Sequence, residues 1–148
     1  MNLTPIKKNQ FSRWKNYRNT VFNSLSDKFH EIEMEKILND IDWFCYFLTN
    51  DNNQIIGLAE LSSRNIVDGC LSSPVAYIEG LYIEEQYRGK GAGKETMRAI
   101  HRWCKQRGFT ELAADTELEN LGAQKFFNAV GFNETYRVVE FCTKVENT

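Results

Sequence analysis

No apolar run in this 148-residue chain approaches the length of a membrane-spanning helix. The opening Met1-Asn2-Leu3-Thr4-Pro5 lacks the charged and apolar regions of a secretory signal. The expectation is a cytoplasmic protein that meets no membrane. Cysteine is scarce and scattered. Cys45, Cys70, Cys104 and Cys142 lie 25 or more residues apart, with no Cys-x-x-Cys. That pattern argues against a disulfide framework and a metal site, and it predicts free, mostly buried thiols. Positive charge is not in excess either: the formal net charge is −2, so a general nucleic-acid binder is excluded. Low-complexity segments, repeats and linkers are all missing. With 42% hydrophobic and 26% charged residues, the composition predicts one globular domain over residues 1–148.

What is present reads as alternating strands and helices. Leu3 to Lys7 is a short candidate strand. Ser12 to Phe22 has Trp14, Tyr17, Val21 and Phe22 near helical spacing, and a second helix runs from an N-cap at Ser26 to Asp40. In that helix Phe29, Ile32, Lys36 and Ile37 track one face. Trp43 to Thr49 reads as a buried strand, turned by Asn50-Asp51-Asn52-Asn53 into a second strand over Ile55 to Leu61. Ser62 to Ser73 reads as an irregular loop, and Val75 to Ile83 as a third sheet strand. Lys94 to Arg107 is amphipathic, with Met97, Ile100, Trp103 and Cys104 at helical spacing and Gly108 closing it. A strand over Phe109 to Ala114, a helix over Asn120 to Val130 capped by Gly131, and a last strand over Glu134 to Thr143 complete the chain. The predicted order is β-α-α-β-β-β-α-β-α-β, an α/β fold with a mixed sheet and helices on both sides.

Between the third sheet strand and the amphipathic helix stands Gln86-Tyr87-Arg88-Gly89-Lys90-Gly91-Ala92-Gly93. Three glycines leave the backbone bare, so successive N–H groups can close on a phosphate with the positive end of the next helix behind them. Arg88, Lys90 and Lys94 add cations at the same point. The two commonest phosphate loops do not fit. No string has the Gly-x-x-x-x-Gly-Lys-Ser/Thr spacing, and the third glycine of Gly89-Lys90-Gly91-Ala92-Gly93 comes one place too early for a dinucleotide fingerprint. The string instead matches Gln/Arg-x-x-Gly-x-Gly/Ala through Gln86, Gly89 and Gly91.

That pattern resembles the pyrophosphate loop of the GCN5-related N-acetyltransferase family. Downstream, Asn120-Leu121-Gly122-Ala123-Gln124-Lys125-Phe126-Phe127 followed by Gly131-Phe132 is similar to the family's Asn-x-x-Ala-x-x-Phe-Tyr…Gly-Phe segment. The resemblance implies the family fold, a mixed and mostly antiparallel sheet, with acetyl-coenzyme A as co-substrate and no metal. It further implies a strand that splays from its neighbour so that free backbone groups near Leu81, Tyr82 and Ile83 pair with pantetheine. Cofactor contacts would fall on those three residues, on Arg88, Gly89, Lys90, Gly91, Ala92, Gly93 and Lys94, and on Asn120 and Lys125. An N–H there would polarise the thioester carbonyl, and an amine would attack directly. One position departs from the pattern. Phe127 replaces the family's usual tyrosine, so either another group protonates the departing thiolate or it leaves unassisted.

An acceptor amine must shed a proton, which calls for carboxylates. Glu79 sits inside the apolar strand Tyr77-Ile78-Glu79-Gly80-Leu81, and plain alternation would put Tyr77, Glu79 and Leu81 on one face; an outward edge charge is the alternative. Asp115 stands just past the next strand. Glu111 to Glu119 holds four acids and no base, an acidic rim that would attract a polycation, although Glu117 and Glu119 also suit a solvated helix start. Three segments narrow the resemblance: Ser73 to Ile83, Glu111 to Asp115 with Asn120, and Gly131 to Phe141. They look like the aminoglycoside 6'-N-acetyltransferases. That group implies Glu79 and Asp115 as holders of the aminoglycoside ammonium groups, and Phe22, Ile66 and Tyr136 as further substrate positions. Ile66 lacks the group's tyrosine hydroxyl and Tyr136 replaces an acid. The group commonly forms homodimers, with Val138 to Phe141 near the interface. A polyamine, a peptide N-terminus or a lysine remains open as acceptor, and so does a non-catalytic acyl-coenzyme A binding role.

Overall fold

The structure is a computed structural model that describes residues 1–147. The described chain falls into two compact units, Met1–Asp115 and the residues from Thr116 onward. In the first, β1 (Asn2–Pro5), α1 (Phe11–Val21), α2 (Asp27–Leu38), β2 (Trp43–Thr49), β3 (Ile55–Arg64), β4 (Val75–Ile83), α3 (Ala92–Gln106) and β5 (Leu112–Ala114) follow in chain order. The strands form one five-stranded sheet in the order β1-β2-β3-β4-β5. All neighbours are antiparallel except β4 and β5, which α3 joins as a parallel pair. The predicted α/β class holds.

Strand β2 shows why helices cover both faces. Its aromatics alternate. Trp43, Cys45 and Phe47 join Trp14, Tyr17, Met34, Ile37 and Leu58 in a core beneath α1 and α2. Phe44 and Tyr46 turn the other way, onto Trp103 of α3, with ring centroids 5.3 and 6.3 Å away. Met97, Ile100, Trp103 and Cys104 are all buried, so the amphipathic reading of α3 stands. Ser26 caps α2 by accepting from the Phe29 N–H, as its position predicts. The buried stripe of that helix, however, is His30, Met34 and Ile37. Phe29 and Ile32 are 49% and 43% exposed. The stripe lies one residue away from the expected face because its first member is a histidine, not an apolar residue.

In the second unit, Asn120 caps α4 (Leu121–Ala129) by accepting the Ala123 N–H at 3.1 Å. Gly131, at φ 101°, ends it. Phe127 packs edge-on against Phe126 and Phe132. The expected final strand over Glu134 to Thr143 is not formed: residues 133–147 are exposed and carry no ladder. Alternating apolar residues do not make a strand without a neighbour to take their backbone hydrogen bonds.

Candidate functional site

Two features of β4 shape the site. The first is a bulge. Against β3, Leu61 pairs with Ile78 but Glu60 pairs with Gly80, which leaves Glu79 as the extra residue. The inserted residue breaks the alternation. Ser62 opposes Tyr77, and its hydroxyl donates to Glu79, so Tyr77 and Glu79 share the face of Glu60, the α1 face. Gly80 lies on that face as well: a Cβ placed there would stand 3.0 Å from the Phe22 ring. Leu81 is therefore carried to the opposite face, beside its partner Ala59, contrary to the simple alternation expected from the sequence.

The second feature is an opening. Strand β5 follows β4 only through Ala76, Tyr77 and Ile78, and the ladder ends there. Beyond that point the hydrogen-bonding direction is fixed by neighbours. Glu84 donates its N–H to Ile56, so Tyr82 and Gly80, two and four residues back, also face β3. Leu81 and Ile83 must then aim their N–H and C=O groups away from β3, into the gap. The Ile83 carbonyl confirms this by accepting from Arg88 Nε at 2.7 Å. Tyr82 contributes its ring, over which the Arg88 guanidinium lies at 5.3 Å.

The Gly loop sits at the end of that gap. Gly89 and Gly91 adopt left-handed backbone, φ 76° and 81°, with nothing within 4 Å of where a Cβ would stand. Gly91 is the N-cap of α3 and provides no side-chain cap for the first helical amides. Arg88, Lys90 and Lys94 are exposed around it. Ala92 and Gly93 start the helix, and Ala92 is buried behind the loop. These residues fit a diphosphate: bare amides, open space above them and three cations.

The carboxylates meet farther back on β4. Glu79 Oε1 accepts from Ser62 Oγ at 2.7 Å and from Arg64 Nε at 2.8 Å, and Oε2 accepts from Arg64 Nη2 at 2.9 Å. The same guanidinium lies 3.5 Å above the Tyr77 ring. The Tyr77 hydroxyl donates to Asp115 Oδ2 at 2.6 Å. Burial, and then that bond to Asp115, raise the Tyr77 pKa above its ordinary value, so the phenol stays a donor. Glu79 and Asp115, predicted from separate parts of the chain, thus meet in one network through Arg64 and Tyr77, and Phe22 lies against the same strand at Gly80.

The other predicted positions each have their own surroundings. Ile66 is 84% exposed in the loop after β3. Tyr136, Asn120 and Lys125 belong to the second unit, where Tyr136 is 66% exposed, Lys125 is exposed and Asn120 caps α4. Glu111 leaves the acidic rim. It accepts from the N–H groups of Leu71 and Ser72 and from the Ser72 hydroxyl, and so ties down the loop before β4. Two residues of the network are absent from the sequence reading, Ser62 and Arg64. They fall where a loop is expected, but β3 continues to Arg64. The signal was available: Leu58, Glu60, Ser62 and Arg64 keep a period of two beyond the last apolar residue.

Among the described residues there is no cluster able to hold a metal ion, and no helix long and apolar enough to cross a membrane. Comparison with known proteins agrees with the geometry. Residues 14–132 match the model of the Acetyltransferase (GNAT) family. An aminoglycoside N(6')-acetyltransferase type 1 from Salmonella enteritidis is 34% identical over 140 residues, covering 94% of this chain and 96% of that protein. The crystal structure of aminoglycoside antibiotic 6'-N-acetyltransferase AAC(6')-IG from Acinetobacter haemolyticus, in its apo form, matches with a TM-score of 0.84. Its identity is 31%, with 99% of this chain and 100% of that one covered. AAC(6')-Iy in complex with the bisubstrate analog CoA-S-monomethyl-acetylneamine matches with a TM-score of 0.82 at 31% identity, covering 97% and 98%.

Proposed function

The chain belongs to the Acetyltransferase (GNAT) family, and on that premise we propose that it acetylates the 6'-amino group of aminoglycosides from acetyl-coenzyme A. The observation that carries this reading is the convergence of Glu79, Asp115 and Phe22 on the same strand that opens toward the Gly loop. Two carboxylates and an aromatic suit a sugar bearing several ammonium groups, and relatives similar over nearly the whole chain carry that activity in their names.

Acetyl-coenzyme A supplies an acetyl group already activated as a thioester. The amides of residues 89–94, with Arg88, Lys90 and Lys94, hold the diphosphate. Leu81 and Ile83 offer N–H and C=O groups to the amide-bearing arm, and Arg88 yields the Ile83 carbonyl as it turns to phosphate. An N–H on this stretch stabilises negative charge developing on the carbonyl oxygen. Glu79 and Asp115 orient the acceptor by its ammonium groups and draw the proton from the attacking amine, directly or through water. Phe127 brings no hydroxyl, so the departing thiolate takes its proton elsewhere.

Residues 1–148 work here as one domain, a reading supported by a family match that runs across the boundary of the two units. The protein acts in the cytoplasm as a homodimer. The exposed Val138, Val139 and Phe141, at 64%, 69% and 92%, suit an interface, and a monomeric mass in solution would remove that part. The decisive experiment is a panel of amines with acetyl-coenzyme A, followed by thiol release. Turnover of kanamycin or tobramycin with indifference to spermidine is the expected result. The reverse preference would assign a polyamine enzyme, and tight coenzyme A binding without any turnover would assign a binding module.

A further inference from the structure

We propose that Arg64 is the residue that positions Glu79 for acceptor recognition. The inference rests on the acceptor site described above. Glu79 is the bulged residue of β4, so the ladder leaves it without a partner of its own on β3. Something else must fix where its carboxylate points. Arg64 supplies two of the three hydrogen bonds that do so, Nε to Oε1 at 2.8 Å and Nη2 to Oε2 at 2.9 Å, and Ser62 supplies the third at 2.7 Å. A planar fork that meets both oxygens sets the plane of the carboxylate as well as its position.

Arg64 itself is held. Its guanidinium rests 3.5 Å above the Tyr77 ring, and Tyr77 donates to Asp115. One cation therefore touches the groups that fix both acids. It also divides their labour. Glu79 is neutralised by its arginine, while the one hydrogen-bond donor to Asp115 among the described residues is an uncharged phenol. Glu79 therefore meets the acceptor with a charge it shares with Arg64, and Asp115 with a charge that no cation shares among the described residues.

The test uses the full-length enzyme and whichever amine the wild-type protein turns over best, so that an error about aminoglycosides appears in the wild-type panel and not in the variants. Arg64→Gln raises the acceptor KM about tenfold, the worth of one lost charge-assisted hydrogen bond, with the acetyl-coenzyme A KM unchanged. Arg64→Lys restores the charge but not the fork, and its acceptor KM stays within about threefold of the Gln variant. Ser62→Ala, which deletes the third bond and keeps the cation, raises the same KM about threefold and covers the case in which Arg64→Gln fails to fold. A wild-type acceptor KM in Arg64→Gln overturns the proposal. So does a wild-type acceptor KM in Arg64→Lys, or in a folded Ser62→Ala, or a rise in the acetyl-coenzyme A KM equal to that of the acceptor.

Discussion

Glu60 and Glu79 are two strand glutamates on one face of the sheet, each gripped at both oxygens by an arginine, and they do different work. Glu60 accepts from Arg18 Nη1 at 2.5 and 2.7 Å and from the Trp14 indole at 2.7 Å, and both partners' side chains are 1% exposed. Glu79 has equivalent partners, but its side chain is 13% exposed and that of Arg64 is 42%. Burial is the difference. In the sealed pair both Arg18 Nη groups are committed, Nη1 to Glu60 and Nη2 to Glu33 at 3.0 Å, and no ligand can compete for the carboxylate. In the open pair water and ligand reach the guanidinium, so the carboxylate can be shared. An ion pair under α1 ties helix to sheet, and the same chemistry at the strand bulge becomes recognition.

The comparison makes opposite demands on two matched substitutions. Glu60→Gln leaves the Arg18 charge buried with only Glu33 opposite it, which costs about 3 kcal/mol of stability. In a chain of this size the melting temperature falls by about 10 °C. The acceptor KM of the protein that remains folded stays at the wild-type value. Glu79→Gln behaves the other way. Arg64 turns to water, the melting temperature moves by no more than about 2 °C, and the acceptor KM rises about tenfold. Thermal unfolding and steady-state kinetics on both variants decide the matter. If Glu79→Gln proves as unstable as Glu60→Gln, both pairs are structural and the contrast fails.

How much of this was legible in the sequence follows the same division. Local signals were clear. The β2 and β4 boundaries, the Ser26 cap, the closing glycines and the buried face of α3 all follow from spacing alone, and so does the Gly loop. Glu79 and Asp115 stand out because each is a charge where the pattern calls for apolar residues or a strand end. What was hidden depends on pairing between strands. The bulge at Glu79 has no mark in the β4 sequence, since it is set by the register of β3, and it sent Leu81 to the other face. Ser62 and Arg64 are polar, so the apolar pattern ends β3 three residues early, at Leu61, although its period continues. The last segment failed for the converse reason: Val138, Val139 and Phe141 have the composition of a strand, but composition cannot supply an edge to pair with.

A third carboxylate extends the series to the solvent side and gives the smallest effect. Among the described residues Glu111 has no cation partner. Its oxygen accepts from the Ser72 hydroxyl and amide, both at 2.6 Å, and from the Leu71 amide at 2.8 Å. These bonds, the Ser72 hydroxyl first, favour the ionised form and hold the pKa below its ordinary value of 4.5. The sign of the linkage follows. A depressed carboxylate contributes stability that is present above its unfolded pKa and is lost as pH falls through the folded one. The 65–74 loop should therefore loosen in mild acid before the sheet does. Amide exchange followed from pH 6 downward should show Leu71 and Ser72 losing protection while β3 and β4 keep theirs, and Glu111→Gln should show the same local loss already at pH 6. The melting temperature barely moves in that variant, because the bonds are made at the surface to neutral donors. Unchanged protection at Leu71 and Ser72 across that range would return Glu111 to the acidic rim, as a charge free to meet a cationic acceptor.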